Sequence, residues 1–289
     1  MDMLTGNKAG PALLRAAWRS WENAEGLMET VLYEVAGGVA KLTLNRPDVL
    51  NSLNTQLISD IRAAIAAANE DKDAGAILMT GAGRGFCAGA DLASGGPRKE
   101  GASTGENVAY GMEIAFNPMV REIAGSAKPV IAAVNGVAAG GGVGLALSAD
   151  IVIAGKSASF VQVFGPQLAL IPDMGCTWYL PNLVGRARAR GLALLGEKLP
   201  AERAAEWGLI WQCVEDDVLM DEAMKITAKL AGGPSNAFGE IKRALDNALT
   251  SDLSTQLDYE RDTQGMLGDH PNFAEGVTSF LQKRKPNFQ

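Results

Sequence analysis

Three stretches of the chain carry residues whose type and spacing suit chemistry on a bound substrate. FCAGADL, residues 86–92, alternates small residues around Gly89, so its backbone N–H groups can meet a ligand closely. A plain strand-to-helix turn would have the same composition. NGVAAGGGVGLALSAD, residues 135–150, places three consecutive glycines at a helix start, where free N–H groups favour negative charge. A glycine packing seam between helices accounts equally for these residues. No GKS or GKT follows, which excludes a P-loop, and the glycine spacing does not make a dinucleotide fingerprint. Asp173, in LALIPDMGCTW, reads either as a helix N-cap or as a proton carrier. With Leu170, Ile171, Met174 and Trp178 around it, its carboxyl would gain a raised pKa and could accept and return a proton.

Other reactive types are scarce. The single histidine, His270 in GDHPNF, rules out an imidazole-rich metal centre within one chain and reads as a cap or loop residue. Cys87, Cys176 and Cys213 are too few and too scattered for a disulfide framework or a cysteine metal site. Cys87 has no adjacent histidine to activate it, so it reads as a small wall residue.

The elements that must position these loops follow from periodicity. Residues 32–44 form two short strands around Gly37-Gly38, and RPDVLNSLN is a loop ending at a helix that starts at Asn54 or Thr55 and runs to about Asn69. AGAILMTG (74–81), PVIAAVNG (129–136) and IVIAG (151–155) read as buried strands, with a helix over 108–124 and a Gly/Ser/charge-rich loop before it. Strands followed by helices predict an α/β core in which helices cover apolar strands. After residue 173 the pattern turns helical, with a short strand at LIWQCV and helices near 218–231, 235–249, 253–267 and 273–284. The division expected is an N-terminal extension over 1–30, a core over 31–215 and a helical region over 216–289. Leu13, Leu14, Trp18 and Trp21 give residues 11–29 of the extension a helical stripe.

Composition narrows the function. The 289 residues hold 26 Lys and Arg against 33 Asp and Glu, a net charge of −7, which argues against a nucleic-acid partner. The N-terminus lacks the pattern of a secretory signal. Val130–Ala149 is uncharged, but Asn135, Ser148 and five glycines make it a strand, a turn and a short helix rather than a membrane span. A soluble, cytoplasmic protein is therefore expected.

Several motifs in one order resemble the crotonase, or enoyl-CoA hydratase/isomerase, superfamily: VAKLTLNRPDVLNSLN, GRGFCAGADL, KPVIAAVNGVAAGGGVGLALSAD, IPDMGCTWYLPNLVGRARARGLALLGEKLPAERAAEWGLI and the ending FAEGVTSFLQKRKPNF. The resemblance covers about residues 31–289. It implies a crotonase-like (ClpP/crotonase) spiral of ββα units, a C-terminal helical trimerisation region, and a homo-trimer or dimer of trimers. It implies an acyl-CoA substrate that brings its own coenzyme A, with no prosthetic group and no metal. An oxyanion hole would come from the backbone N–H groups of Ala90 and Gly141. Substrate contacts would come from Cys87, Ala88, Asp91, Leu92 and Gly140 on the two loops, and from Cys176, where a glycine is usual. Lys283, in the run Lys283, Arg284 and Lys285, would meet the nucleotide end of coenzyme A, across a subunit boundary. The two glutamates by which family hydratases place water would fall at Gly144 and Gly165, and neither can activate water. Asp173 instead matches the acidic residue of double-bond-shifting isomerases. The IPD-x-G-x-TW pattern is most similar to the isomerases that convert 2-(1,2-epoxy-1,2-dihydrophenyl)acetyl-CoA to its oxepin form. Hydration, or acyl-CoA binding with little catalysis, are the competing readings.

Overall fold

The computed structural model describes residues 19–20 and 28–288. Its first long elements, β2 (Val31–Ala36) and β3 (Val39–Leu44), form the antiparallel hairpin predicted around Gly37 and Gly38. Both glycines have positive φ, 57° and 82°, which they adopt without a Cβ clash. Helix α1 (Thr55–Glu70) starts where the Asn54 side chain accepts the Leu57 N–H, and it buries Leu57, Ile58, Ile61, Ala64, Ile65 and Ala68 along one stripe.

From there the chain repeats one unit three times: a long buried strand, a three-residue strand, then helix. β4 (Ala76–Gly81) is followed by β5 (Gly85–Cys87) and the helices α2 (Thr104–Gly111) and α3 (Asn117–Ala124), joined through a π-helical turn at Met112–Phe116. β6 (Val130–Val134) is followed by β7 (Val137–Ala139) and α4 (Gly141–Leu147). β8 (Ile151–Gly155) is followed by β9 (Ser159–Val161) and, after a second π turn, by α5 (Cys176–Leu195). The long strands lie parallel in one sheet and the short ones in another, so the chain winds as a spiral of ββα units. Every residue of β4 and β6 is buried, which is why both read as unbroken apolar runs.

The first sheet runs β1 (Arg19–Ser20), β2, β3, β4, β6, β8 and β11 (Gln212–Val214); the second runs β10 (Leu199–Pro200), β9, β7 and β5. The helix expected over 11–29 falls mostly outside the described residues, as do Leu13, Leu14, Trp18 and Trp21. Within that stretch Arg19–Ser20 pairs with β2 as a strand, where an edge of the hairpin is open to it, and residues 28 and 29 are not helical. The short second-sheet strands were not expected: two or three residues are too few to carry a readable alternation. The helix expected over 108–124 begins earlier, at Thr104, where Ser103 and Glu106 form a capping box.

Gly185, with φ 77° and ψ 161°, breaks α5 into two, and α6 (Ala201–Glu206) leads into β11. Helix α7 (Leu219–Ala231) covers the outer face of the first sheet, its Leu219 and Ala223 packing with Val39, Leu78, Ile131 and Ile153. Helices α8 (Ser235–Ala248), α9 (Leu253–Gly268) and α10 (Pro271–Leu281) follow. His270 caps α10 as expected, its Nδ1 accepting the Asn272 N–H.

Candidate active site

The FCAGADL loop leaves β5 and pairs with residues 50–53. The Leu53 N–H donates to the Gly89 carbonyl at 2.7 Å and the Asp91 N–H donates to the Leu53 carbonyl at 3.0 Å, a parallel bridge between Leu53 and Ala90. In such a bridge the middle residue's own N–H points away from the partner strand. The Ala90 N–H is thereby turned from Leu53. Gly89 has a φ of 89°, and a Cβ on it would stand 2.7 Å from the Ala139 carbonyl oxygen and 3.2 Å from the Gly141 nitrogen. Only glycine allows this loop to lie against the start of α4 so closely.

Gly140, with φ 52° and ψ −123°, donates its N–H to the Val161 carbonyl and so fixes the turn into α4. Among the described residues, the N–H groups of Ala90 and Gly141 have no protein acceptor. Ala90 is exposed and Gly141 is buried. Two unclaimed donors on touching loops can together receive one oxygen on which negative charge develops.

Asp173 stands across from them. A Cβ built on Gly141 would lie 3.8 Å from Asp173 Oδ1 and 2.6 Å from the Met174 Sδ. Asp173 does not cap α5; Gly175, with φ 80°, occupies that place, and the Cys176 N–H donates to the Asp173 backbone carbonyl. Its carboxyl is left to face α4. Burial pushes its pKa up to about 6, against a smaller downward pull from its own backbone N–H. The apolar residues expected to enclose it do so only in part: Ile171 is 78% exposed, Leu170 49% and Trp178 44%, whereas Met174 is 2% exposed. Met174 holds a positive φ of 49°, an uncommon conformation that presses its carbonyl towards α4.

The remaining expected residues divide by depth. Ala88 donates its N–H to the Leu50 carbonyl, and Leu92 is 72% exposed beside the loop. Asp91 pairs with Arg46 at 2.9 Å, and the guanidinium holds its carboxyl below the usual range. Cys87 and Cys176 are fully buried, so both stand behind the wall of the site rather than on it. Burial pushes both thiols up to about 12, which keeps them protonated and unreactive. Lys283 lies on the exposed turn after α10; among the described residues no hydrogen bond links it to the two loops.

Sequence reading passed over Arg46, Asn51 and Gln162. Asn51 is fully buried and donates to the carbonyls of Ala82 and Gly85, tying its loop to the base of β5. Gln162, 3% exposed, is buried beside the Cys176 thiol. Gln162 between Val161 and Val163 is a polar residue in an apolar stretch, a signal that needs the fold to be interpreted, and Arg46 and Asn51 sit in a loop where polar residues are ordinary. Among the described residues no group of three or more His, Cys, Asp or Glu is placed to hold a metal ion, and no helix is long and apolar enough to cross a membrane.

Residues 34–289 match the sequence pattern of the Enoyl-CoA hydratase/isomerase family. The chain belongs to that family. It is 49% identical over 264 residues to the 1,2-epoxyphenylacetyl-CoA isomerase of Escherichia coli strain K12, covering 91% of this chain and 99% of that one. A Rhodobacter capsulatus protein named probable enoyl-CoA hydratase is 44% identical over 259 residues, covering 90% and 97%. Among solved structures, the enoyl-CoA hydratase of Bacillus anthracis superposes with a TM-score of 0.82 at 32% identity, covering 90% of this chain and 99% of that one. The spiral of ββα units is thus the crotonase fold, and the family places the protein among enzymes that carry out hydratase/isomerase-type reactions on CoA thioesters.

Proposed function

We propose that the protein is an acyl-CoA isomerase that works through an enolate, with 2-(1,2-epoxy-1,2-dihydrophenyl)acetyl-CoA as its substrate and an ability to shift the double bond of a 3-enoyl-CoA. One observation carries this reading: a half-buried carboxyl, Asp173, faces Gly141, while the backbone has closed over Gly144, where a hydratase would need a carboxylate. In the double-bond shift the Asp173 carboxylate takes a proton from the carbon next to the thioester carbonyl. The electron pair moves onto the carbonyl oxygen, which the N–H groups of Ala90 and Gly141 receive. Asp173 then returns the proton two carbons further along, and the negative charge on oxygen collapses. With the epoxide, the carbon–carbon bond shared by the three- and six-membered rings breaks as its electron pair becomes a third ring double bond, giving the seven-membered oxepin; Asp173 can move a proton from the carbon next to the thioester carbonyl to the ring, and no atom is gained or lost. Loss of one such donor costs about 3 kcal/mol in comparable sites, so the two loops matter as much as the base. Ala88, Gly140 and Leu92 would shape the acyl site, Asp91, Cys87 and Cys176 would support it from behind, and Lys283 would reach the nucleotide end of coenzyme A bound to a neighbouring subunit.

The test is an assay of the wild type with the epoxide, with a 3-enoyl-CoA and with crotonyl-CoA. Isomerisation of at least one of the first two with little hydration of the third is expected; efficient hydration would reject the reading. The same base sets a pH dependence. Asp173 must be ionised to accept the proton, so kcat/KM should rise with pH through a midpoint near its value of about 6 and level off above it. A flat profile between pH 4.5 and 7.5 would remove Asp173 as the titrating base.

The protein is further inferred to assemble as a trimer or a dimer of trimers. Leu245 and Leu249 on and just after α8, together with Trp178 and Trp211, line an apolar groove of about 1080 Å³, and Leu253, Leu257, Phe280 and Leu281 are exposed on α9 and α10. An apolar surface of this extent favours a subunit contact. Light scattering should report three or six chains per particle, and a persistent monomer at micromolar concentration would defeat the assignment.

A further inference from the structure

We propose that Arg46 is a positioning residue for the Ala90 N–H, holding in place the backbone bridge that aims this donor; the inference rests on the oxyanion-hole reading above. Ala90 is directed by the pairing of two irregular segments, 46–53 and 88–91, neither of which belongs to a long strand. Two backbone hydrogen bonds through Leu53 and one from the Ala88 N–H to the Leu50 carbonyl join them. Segment 46–53 is also held in an uncommon conformation, with positive φ at two adjacent non-glycine residues, Leu50 (51°) and Asn51 (55°). Such a backbone persists only where its surroundings over-determine it.

Arg46 supplies that restraint at the end nearest the candidate site. One guanidinium nitrogen, Nη1, donates to the Ser52 carbonyl, and the other, Nη2, donates to Asp91 Oδ2 at 2.9 Å. Ser52 precedes Leu53 and Asp91 follows Ala90, so this one side chain spans the bridge and joins both of its strands. Its own N–H donates to the Asn51 Oδ1 at 2.8 Å, and the Asn51 amide in turn reaches the carbonyls of Ala82 and Gly85. The bridge is thus anchored to the start of β5 at one end and clamped by Arg46 at the other. The two side chains of the ion pair are only 18% and 11% exposed, which limits competition from water. The two acceptors need the planar two-pronged geometry of arginine; a lysine ammonium can serve Asp91 but cannot span both in the same way. With the clamp lost, Ala90 would remain in the loop while its N–H direction is no longer fixed to the precision that charge stabilisation in a transition state requires.

The experiment compares Arg46→Gln, Arg46→Lys, Asp91→Asn and Asp173→Asn with the wild type. It measures kcat, KM and Tm, together with the thioester carbonyl stretch of bound phenylacetyl-CoA, an unreactive probe lacking the epoxide, by difference Raman spectroscopy. Wild type should lower that stretch relative to the free thioester, because both donors polarise the carbonyl. In R46Q, kcat should fall at least ~10-fold with KM changed less than about threefold, since a misaimed donor costs most in the transition state. The stretch should move back towards the free value, with R46K and D91N intermediate. D173N should lose turnover and keep the wild-type stretch, which separates the donor from the base. A fall in Tm with kcat and the stretch unchanged in R46Q would show a structural role only and overturn the inference. Should R46Q not fold, an unshifted stretch in both R46K and D91N would overturn it equally. A wild type that leaves the stretch at the free value would overturn the oxyanion-hole reading itself, and this inference with it.

Discussion

Asp173→Asn is expected to lower isomerisation at least ~100-fold while leaving acyl-CoA affinity nearly unchanged. Asparagine keeps the size of the side chain and removes the group that carries the proton. The same substitution should change stability in a direction that excludes misfolding as the cause. The carboxyl has a pKa of about 6 in the fold against 3.8 for the unperturbed group, so between these values the folded protein binds more protons than the unfolded one. Stability from this group is therefore full below pH 3.8 and declines as pH rises towards 6. Above that it stays lower, by on the order of 3 kcal/mol. D173N escapes this penalty, so its Tm should exceed that of the wild type at pH 8 and lose that advantage at pH 4. Turnover retained in a well-folded D173N would reject Asp173 as the proton carrier.

Gly144→Glu should not create a hydratase, although it would supply the residue type that the family resemblance implies for a hydratase at this position. A Cβ at Gly144 would lie 2.4 Å from the Met174 carbonyl oxygen and 2.6 Å from the Met174 Cβ. The obstacle is the backbone and Cβ of Met174, between Asp173 and Gly175, and it cannot yield by a change of rotamer. Either α4 or the Asp173 loop must shift, at a cost of about 1–3 kcal/mol for overpacking of this kind. The variant is expected to show lower Tm, at least ~10-fold slower isomerisation because the base is displaced, and no measurable hydration of crotonyl-CoA. At Gly165 a Cβ would stand 3.0 Å from the Ala193 carbonyl oxygen, so the second hydratase position is crowded too. Hydration by a folded G144E would show that the closed backbone is not what separates the two chemistries.

These two experiments also mark how much of the site was readable in advance. Asp173 stands out as an acid between Pro172 and a helix start in an apolar stretch, but that placement suits a helix N-cap as well, and its reading as a proton carrier comes from the family resemblance. Of its expected neighbours Met174 is buried against the site, whereas Leu170, Ile171 and Trp178 turn outward, and α4 supplies the rest of the enclosure. Arg46 and Asp91 are 45 positions apart, and nothing local to either records the other.

By itself the sequence determined the long elements, because their causes are local: paired glycines at 37–38, an Asn cap at 54, unbroken apolar runs at 76–81 and 130–134, and helical stripes after residue 218. It also determined, through its order of glycine-rich motifs, the family to which the chain belongs. The tertiary structure alone decided the short second sheet, the direction of the Ala90 N–H, the packing of Asp173 against α4 and the closure of backbone over Gly144. Each of these depends on segments tens of residues apart arriving at van der Waals or hydrogen-bonding distance. Such a contact leaves no periodicity in either segment, since a backbone donor can be supplied by any residue and a missing Cβ reveals only that something lies close.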